Sequence, residues 1–176
     1  MSEYTPTTPK VLLSEQQISE KIVQLGQQIS QDYQGKKLLM ISVLKGSVVF
    51  MSDLMRAITI PMQIDFMSVS SYGSGVKTSG VVKIIKDLDR PIAGYDLLIV
   101  EDILDSGLTL SYLSQILQSR GPKSMRLITL LDKPERRQIE VETHYVGFTI
   151  ADEFVVGYGL DFNEEYRNLP FVGVLQ

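Results

Sequence analysis

The chain is 176 residues long, 44% hydrophobic and 22% charged, which is the length and composition of one ordinary globular domain able to bury a core. Seventeen basic against 21 acidic residues give a net charge of -4 and an isoelectric point near 5.0. That balance disfavours broad nucleic-acid binding and leaves any polyanionic ligand to local positive charge. The absence of cysteine excludes disulfides and thiol catalysis, and no apolar run approaches a membrane span. The opening MSEYTPTTPK lacks the basic-then-apolar order of a secretory signal, so the expected location is the cytoplasm.

In chain order the pattern is a single α/β alternation without repeats or low-complexity linkers, read as one domain over residues 1–176. Ser14 and Gln17 form a capping box ahead of Ile18, Ile22, Leu25 and Ile29 at helical spacing. Residues 38–44 read as a buried strand. Residues 47–58 read as a helix with Phe50, Leu54 and Ile58 inward, and 62–69 alternates as a second strand. Residues 70–80 hold three glycines, four serines and a threonine, too polar to pack, and are expected to form a mobile lid before a short strand over 81–85.

Residues 97–109 read LLIVEDILDSGLT and carry most of the functional information. Leu97 to Val100 suit a parallel strand buried on both faces, which places Glu101 and Asp102 at its carboxyl end. The turn from Asp105 to Thr109 leads into Leu110, Leu113, Ile116 and Leu117 at helical spacing, so backbone N–H groups and hydroxyls there suit a phosphate. An ordinary Asp or Ser N-cap would explain the turn alone. It would not explain two adjacent carboxylates, which repel unless a cation or a polyhydroxyl ligand joins them. The Walker A and Gly-x-Gly-x-x-Gly patterns are absent. Asp102 and Asp105 stand three apart rather than at the two-residue step of an aspartyl-phosphate phosphatase. A further strand over 125–131 and short β pieces over 145–151, 154–157 and 171–174 follow. The N-terminal segment and roughly residues 134–176 are expected to make a hood over the strand ends, and Lys45, Glu101 and Lys133 would lie at those ends.

Taken singly, the remaining polar residues have plain readings. Lys45 and Lys133 would be solvated lysines at strand ends, Phe154 a core residue, and Asp161 with Arg167 a surface ion pair. Asp65, Asp87 and Asp89 read as solvated charges, and His144 as an exposed or half-buried residue without assigned chemistry.

The central segment resembles the phosphoribosyl-pyrophosphate motif of the type I phosphoribosyltransferases. With Leu44-Lys45-Gly46, Ser71-Tyr72-Gly73, Leu130 to Pro134, Phe154 to Asp161 and Arg167, the chain resembles the bacterial hypoxanthine(-guanine) phosphoribosyltransferases from about Val11 onward. The resemblance implies a mostly parallel sheet flanked by helices with a small hood, and transfer of the phosphoribosyl group to a 6-oxopurine with Mg²⁺. It also implies a homodimer or homotetramer acting on small molecules, with no nucleic acid or membrane partner. Residue by residue it implies a pyrophosphate loop at Lys45 and Gly46 with a cis peptide after Leu44, and a lid carrying Ser71 and Tyr72. Glu101 and Asp102 would meet the ribose and metal, and Asp161 the metal. Asp105 would handle the proton at purine N7, and Ser106, Gly107, Leu108 and Thr109 would hold the 5′-phosphate. Ile103 would face Phe154 across the base, with Leu104 in the same contact segment. Lys133 would meet the 6-oxo group, the Val155 carbonyl position 2, and Arg167 pyrophosphate. Leu108 departs from relatives that carry lysine there. An RNA-binding regulator of the same fold and a metal-dependent sugar-phosphate hydrolase remain as other classes.

Overall fold

The computed structural model describes residues 7–71 and 82–175, without the side chain of Ser71. The lid expected over residues 70–80 therefore lies almost wholly outside the described residues, Tyr72 and the Ser71 side chain included. Among the described residues no helix is long and apolar enough to cross a membrane.

Six strands form the central sheet. They are β2 (Leu38–Leu44), β3 (Gln63–Ser71), β4 (Val82–Lys86), β5 (Asp96–Leu104), β6 (Ser124–Asp132) and β7 (Tyr145–Thr149), in the order β4-β3-β2-β5-β6-β7. All neighbours are parallel except the β3–β4 pair. Helices α1 (Glu15–Asp32) and α2 (Val48–Ala57) cover one face, and α3 (Leu108–Ser119) covers the other. The alternation within β5 shows why. Leu98 and Val100 pack with Ile18, Ile22 and Phe50, whereas Leu97 and Ile99 pack with Leu110, Leu113 and Leu117. Each such side chain contributes about 1.5–3 kcal/mol on burial, which offsets the cost of carrying Glu101 inward on the same strand. The capping box at Ser14 and Gln17 is formed, with hydrogen bonds of 3.1 and 2.9 Å.

Two expectations need correction. The strand 145–151 does not join the hood: β7 pairs with β6 and extends the central sheet. The hood sheet is instead β1 (Lys10–Leu13), β9 (Val172–Val174) and β8 (Val155–Val156), all antiparallel. β1 has too few residues to show a period, so it is visible only through its partner. Glu101 and Asp102 sit in the carboxyl half of β5, which runs on to Leu104, with Glu101 opposite Thr129 of β6. Asp65 is also not solvated. It is 3% exposed and accepts the N–H groups of Phe66 and Asp89, which fastens the loop after β4 to β3. The N-cap of α3 is Gly107, at φ 82°, with no side-chain capping bond, so an ordinary Asp or Ser cap is not what shapes the turn.

Candidate active site

At the carboxyl ends of β2, β5 and β6 two cavities adjoin and share Ile103 and Asp105. The first is walled by Gly46, Glu101, Asp102, Ser106, Gly107 and Thr109. Its acidic wall is costly. Burial pushes the Glu101 carboxyl well above its ordinary range and the neighbouring Asp102 charge adds to this; burial raises Asp102 too, against the N–H of Ile103, which it accepts at 2.8 Å. No ion pair among the described residues includes either carboxylate, an arrangement suited to a ligand that brings a cation or hydroxyl donors. Gly46 is required here, because a Cβ at that position would overlap the Asp102 carboxylate.

The floor of this cavity is the start of α3. Without a side-chain cap, the first N–H groups of the helix are left to a ligand, with only the Ser106 hydroxyl lying 3.4 Å from the Leu108 N–H. Thr109 adds its hydroxyl to the cavity wall, whereas Leu108 is not among the wall residues. The turn is clamped from behind: the Ser106 carbonyl accepts from the N–H groups of Gln138 and Ile139, and Arg137 Nε donates to the Asp105 carbonyl at 3.0 Å. A short 3-10 helix, Pro134–Arg136, brings this segment round, and Arg137 also pairs closely with Asp132.

The second cavity, about 470 Å³, falls in the range that holds small molecules. Ile103, Phe154, Val155 and Leu160 form its apolar walls, with Lys133, Asp105, Arg136, Asp152 and Asp161 as polar groups. Phe154 is not core. It is 55% exposed and meets Phe162 edge-on at 5.8 Å, an apolar face left open toward the cavity. Lys133 is not a surface lysine either, with a side chain only 8% exposed. Its N–H donates to the Leu104 carbonyl at 3.0 Å, which fixes the end of β6 against that of β5.

Lys45 and Arg167 lie at the rim. The Leu44–Lys45 peptide is cis, as the resemblance implies. Lys45 Nζ meets Glu164 at 2.8 Å, and Arg167 Nη2 is 3.2 Å from both Glu164 and Asp161. Arg167 Nη1 donates to the Gly159 carbonyl at 2.7 Å, and a Cβ at Gly159 would overlap the Gly46 carbonyl, so the two rim loops pack closely. Asp161 is thus occupied by Arg167 and by the Glu164 N–H, and the described residues form no group of three metal ligands. The expected trio of Glu101, Asp102 and Asp161 is not assembled as one cluster.

Arg136, Arg137, Asp152, Phe162 and Glu164 belong to this constellation without being marked by the sequence, and Asp132 joins it from within the Leu130 to Pro134 motif. Each reads locally as loop charge or loop apolar surface. The Arg-Arg pair just after Pro134 was the one available signal, since adjacent arginines beside a strand end suit anionic partners.

A twisted, mostly parallel sheet with an acidic pair and an uncapped helix start at its carboxyl edge defines an α/β protein whose ligand site lies across the strand ends. The chain belongs to the phosphoribosyl transferase domain family, which it matches over residues 10–163. It is 55% identical over 178 residues to the hypoxanthine-guanine phosphoribosyltransferase of Mycobacterium tuberculosis, covering 98% of this chain and 88% of that protein. A bifunctional protein TilS/HprT of Listeria monocytogenes is 52% identical over 167 residues, and there the chain spans 26% of the relative's length. Among solved structures, a hypoxanthine phosphoribosyltransferase from Staphylococcus aureus superposes with a TM-score of 0.92 at 52% identity, covering 95% of this chain and 91% of that one.

Proposed function

We propose that the protein transfers the 5-phosphoribosyl group of phosphoribosyl pyrophosphate to hypoxanthine, guanine or both, giving the nucleotide and pyrophosphate in purine salvage in the cytoplasm. The observation that carries this reading is the junction of the two cavities. An acidic pair, Glu101 buried and Asp102 half-buried, above an uncapped helix start suits a sugar phosphate, and it opens directly into a slot with one aromatic face and one buried ammonium, which suits an oxopurine.

In this reading the N–H groups at the start of α3, with Ser106 and Thr109, hold the 5′-phosphate, and Glu101 and Asp102 accept from the ribose hydroxyls. Phe154 and Ile103 sandwich the base, Lys133 donates to the 6-oxo oxygen, and the Val155 carbonyl faces position 2. The base N9 attacks C1′ as the bond to pyrophosphate breaks, so little covalent work falls to the protein; alignment and charge stabilisation remain. Asp105 takes or shares the proton at N7, and Lys45, the backbone at Gly46, and Arg167 stabilise the leaving pyrophosphate.

Mg²⁺ fits the donor set. Two adjacent carboxylates without an ion-pair partner suit a hard cation, and with fewer than three protein ligands gathered the ion needs oxygens from the substrate as well. Glu101 and Asp102 would hold it, with Asp161 as the outer contact. When bound it supplies positive charge to the hydroxyls and the pyrophosphate.

Steady-state assays with phosphoribosyl pyrophosphate, Mg²⁺ and hypoxanthine, guanine, xanthine or adenine test the reading. The expected result is nucleotide formation with 6-oxopurines and none above background with adenine. Release of phosphate without any base would instead support a hydrolase, and absence of turnover with all four bases would overturn the proposal.

A further inference from the structure

Lys133 carries its charge into a largely buried place, and among the described residues its ammonium has no hydrogen-bond partner. A buried ammonium is costly unless an opposite charge stands near. Asp152 supplies it, with Oδ1 at 3.7 Å from Nζ. That separation exceeds a hydrogen bond, so Asp152 balances the charge while leaving the ammonium donors free. The same Oδ1 lies 3.7 Å from Arg136 Nη1, and Arg136 Nε donates to Asp105 Oδ1 at 3.1 Å. A charged chain Lys133–Asp152–Arg136–Asp105 therefore runs along one side of the base cavity, which all four residues line. Its backbone is tied as well: the Ile150 N–H donates to the Asp132 carbonyl at 2.9 Å, two residues before Asp152 and one before Lys133.

We propose that Asp152, working with Arg136, is a positioning residue for purine recognition: it aims Lys133 at the 6-oxo oxygen and, through Arg136, holds Asp105 with its second oxygen turned to N7. The inference rests on the 6-oxopurine reading above and deepens it. Neither Asp152 nor Arg136 needs to touch the base. Asp152 sets where a neighbouring cation points, and Arg136 engages one carboxylate oxygen of Asp105 and leaves the other without a partner among the described residues. The turn that carries Asp152 also begins the segment bearing Phe154 and Val155, so one short stretch would fix the aromatic face, the position-2 carbonyl and the aim of Lys133.

The test compares the wild type with Asp152→Asn, Asp152→Glu and Arg136→Met, measuring kcat, KM for hypoxanthine, KM for phosphoribosyl pyrophosphate and Tm. Inhibition by purine unsubstituted at C6 is measured alongside. Misaiming a charged hydrogen bond costs about tenfold or more, so Asp152→Asn should raise the hypoxanthine KM by about that factor. The sugar-phosphate KM, the Tm and the inhibition by unsubstituted purine should stay near wild type. Asp152→Glu should recover most of the loss, and Arg136→Met should lower kcat severalfold. A wild-type hypoxanthine KM in Asp152→Asn would overturn the proposal. So would equal losses for hypoxanthine and unsubstituted purine, or for both substrates with a lowered Tm, which mark a merely structural role. If the wild type itself releases no pyrophosphate with hypoxanthine, the reading of the site falls and the positioning role falls with it.

Discussion

Lys45 Nζ lies 2.8 Å from the Glu164 carboxylate, and the other oxygen of that carboxylate lies 3.2 Å from Arg167, so one acid spans the two cations assigned to pyrophosphate. The Lys45 ammonium beside it holds the Glu164 carboxyl below the usual range. The placement comes from the turn itself. Asn163, Glu164 and Tyr166 all have positive φ, and the Glu164 N–H is bound by Asp161 at 2.9 Å. If pyrophosphate binds these two cations as proposed, it competes with Glu164 for both.

Exposed pairs of this kind hold their partners only weakly. Glu164→Gln should therefore tighten product inhibition by pyrophosphate by about two- to fivefold, with the hypoxanthine KM unchanged. The gain should shrink in high salt, where such pairs are screened. Inhibition constants at two ionic strengths check this, and unchanged inhibition would remove Glu164 from the pyrophosphate site.

Asp105 stands where the two cavities meet, with one oxygen engaged by Arg136. Asp105→Asn keeps the shape and removes the base. kcat should fall by about 10² or more, the ordinary scale of general acid–base help, with a modest change in KM. Unaltered turnover would take Asp105 out of the chemistry.

In the proposed reading Lys133 sets the choice of base. An amino group at C6 would point donor against donor, and a mismatch of this sort leaves buried polar groups unpaired. Lys133→Met should cost about 1.5–3 kcal/mol toward hypoxanthine, roughly 10- to 150-fold in kcat/KM, and narrow the gap to adenine. Adenine turnover equal to hypoxanthine in the wild type would contradict the assignment.

What could be read from sequence follows the range of the interactions. The capping box, the helix at 15–32 and the buried strand of residues 38–44 rest on local pattern, and they stand as expected. The acid pair and phosphate turn were legible because their residues are contiguous. Composition alone makes Lys133 a surface lysine and Phe154 a core residue, and only the resemblance places both at the base: burial of the one and exposure of the other depend on the segment 150–154, which local periodicity does not encode. β7 was assigned to the hood for a related reason. Five residues of strand have the same pattern at a sheet edge as in a hairpin, and only pairing with β6 tells them apart. Asp65 looks solvated in the sequence because the partners that bury it, the N–H of Asp89 and Lys86, lie more than twenty residues away, and only the Phe66 N–H is local.

Asp87 gives a dependence of stability on pH. Arg120 at the end of α3 donates to both of its oxygens, at 2.7 and 2.8 Å, and this holds the Asp87 carboxyl below its ordinary range. A depressed native pKa means that the unfolded chain binds the proton more readily. The stabilisation is thus complete above the unfolded value near 4 and is lost as pH falls through the native one. The pair is part-exposed, so its worth is at most about 1 kcal/mol. Asp87→Asn should lower Tm by no more than about 2–4 °C at pH 7, with the deficit narrowing below pH of about 4. A deficit that grows in acid would reverse the sign of this account.

Gly107 offers the most local test of the phosphate cradle. Its φ of 82° is one that a side chain tolerates poorly, and an added Cβ would run into the Ile139 carbonyl, part of the segment that clamps the turn. Gly107→Ala must therefore either push residues 137–141 away or rotate the turn, at about 1 kcal/mol or more for the backbone conformation alone. Either movement redirects the first N–H groups of α3, on which the proposed hold on the 5′-phosphate depends because Leu108 brings no charge. The KM for phosphoribosyl pyrophosphate should rise by about tenfold or more, and inorganic phosphate or sulfate should protect the variant against thermal unfolding far less than the wild type. The base slot has its own walls, so the affinity for hypoxanthine nucleotide should fall through its phosphate while stacking on Phe154 persists. Calorimetry with the nucleotide and with the nucleoside separates the two. If the substitution weakened both alike, Gly107 would be shaping the fold rather than the cradle.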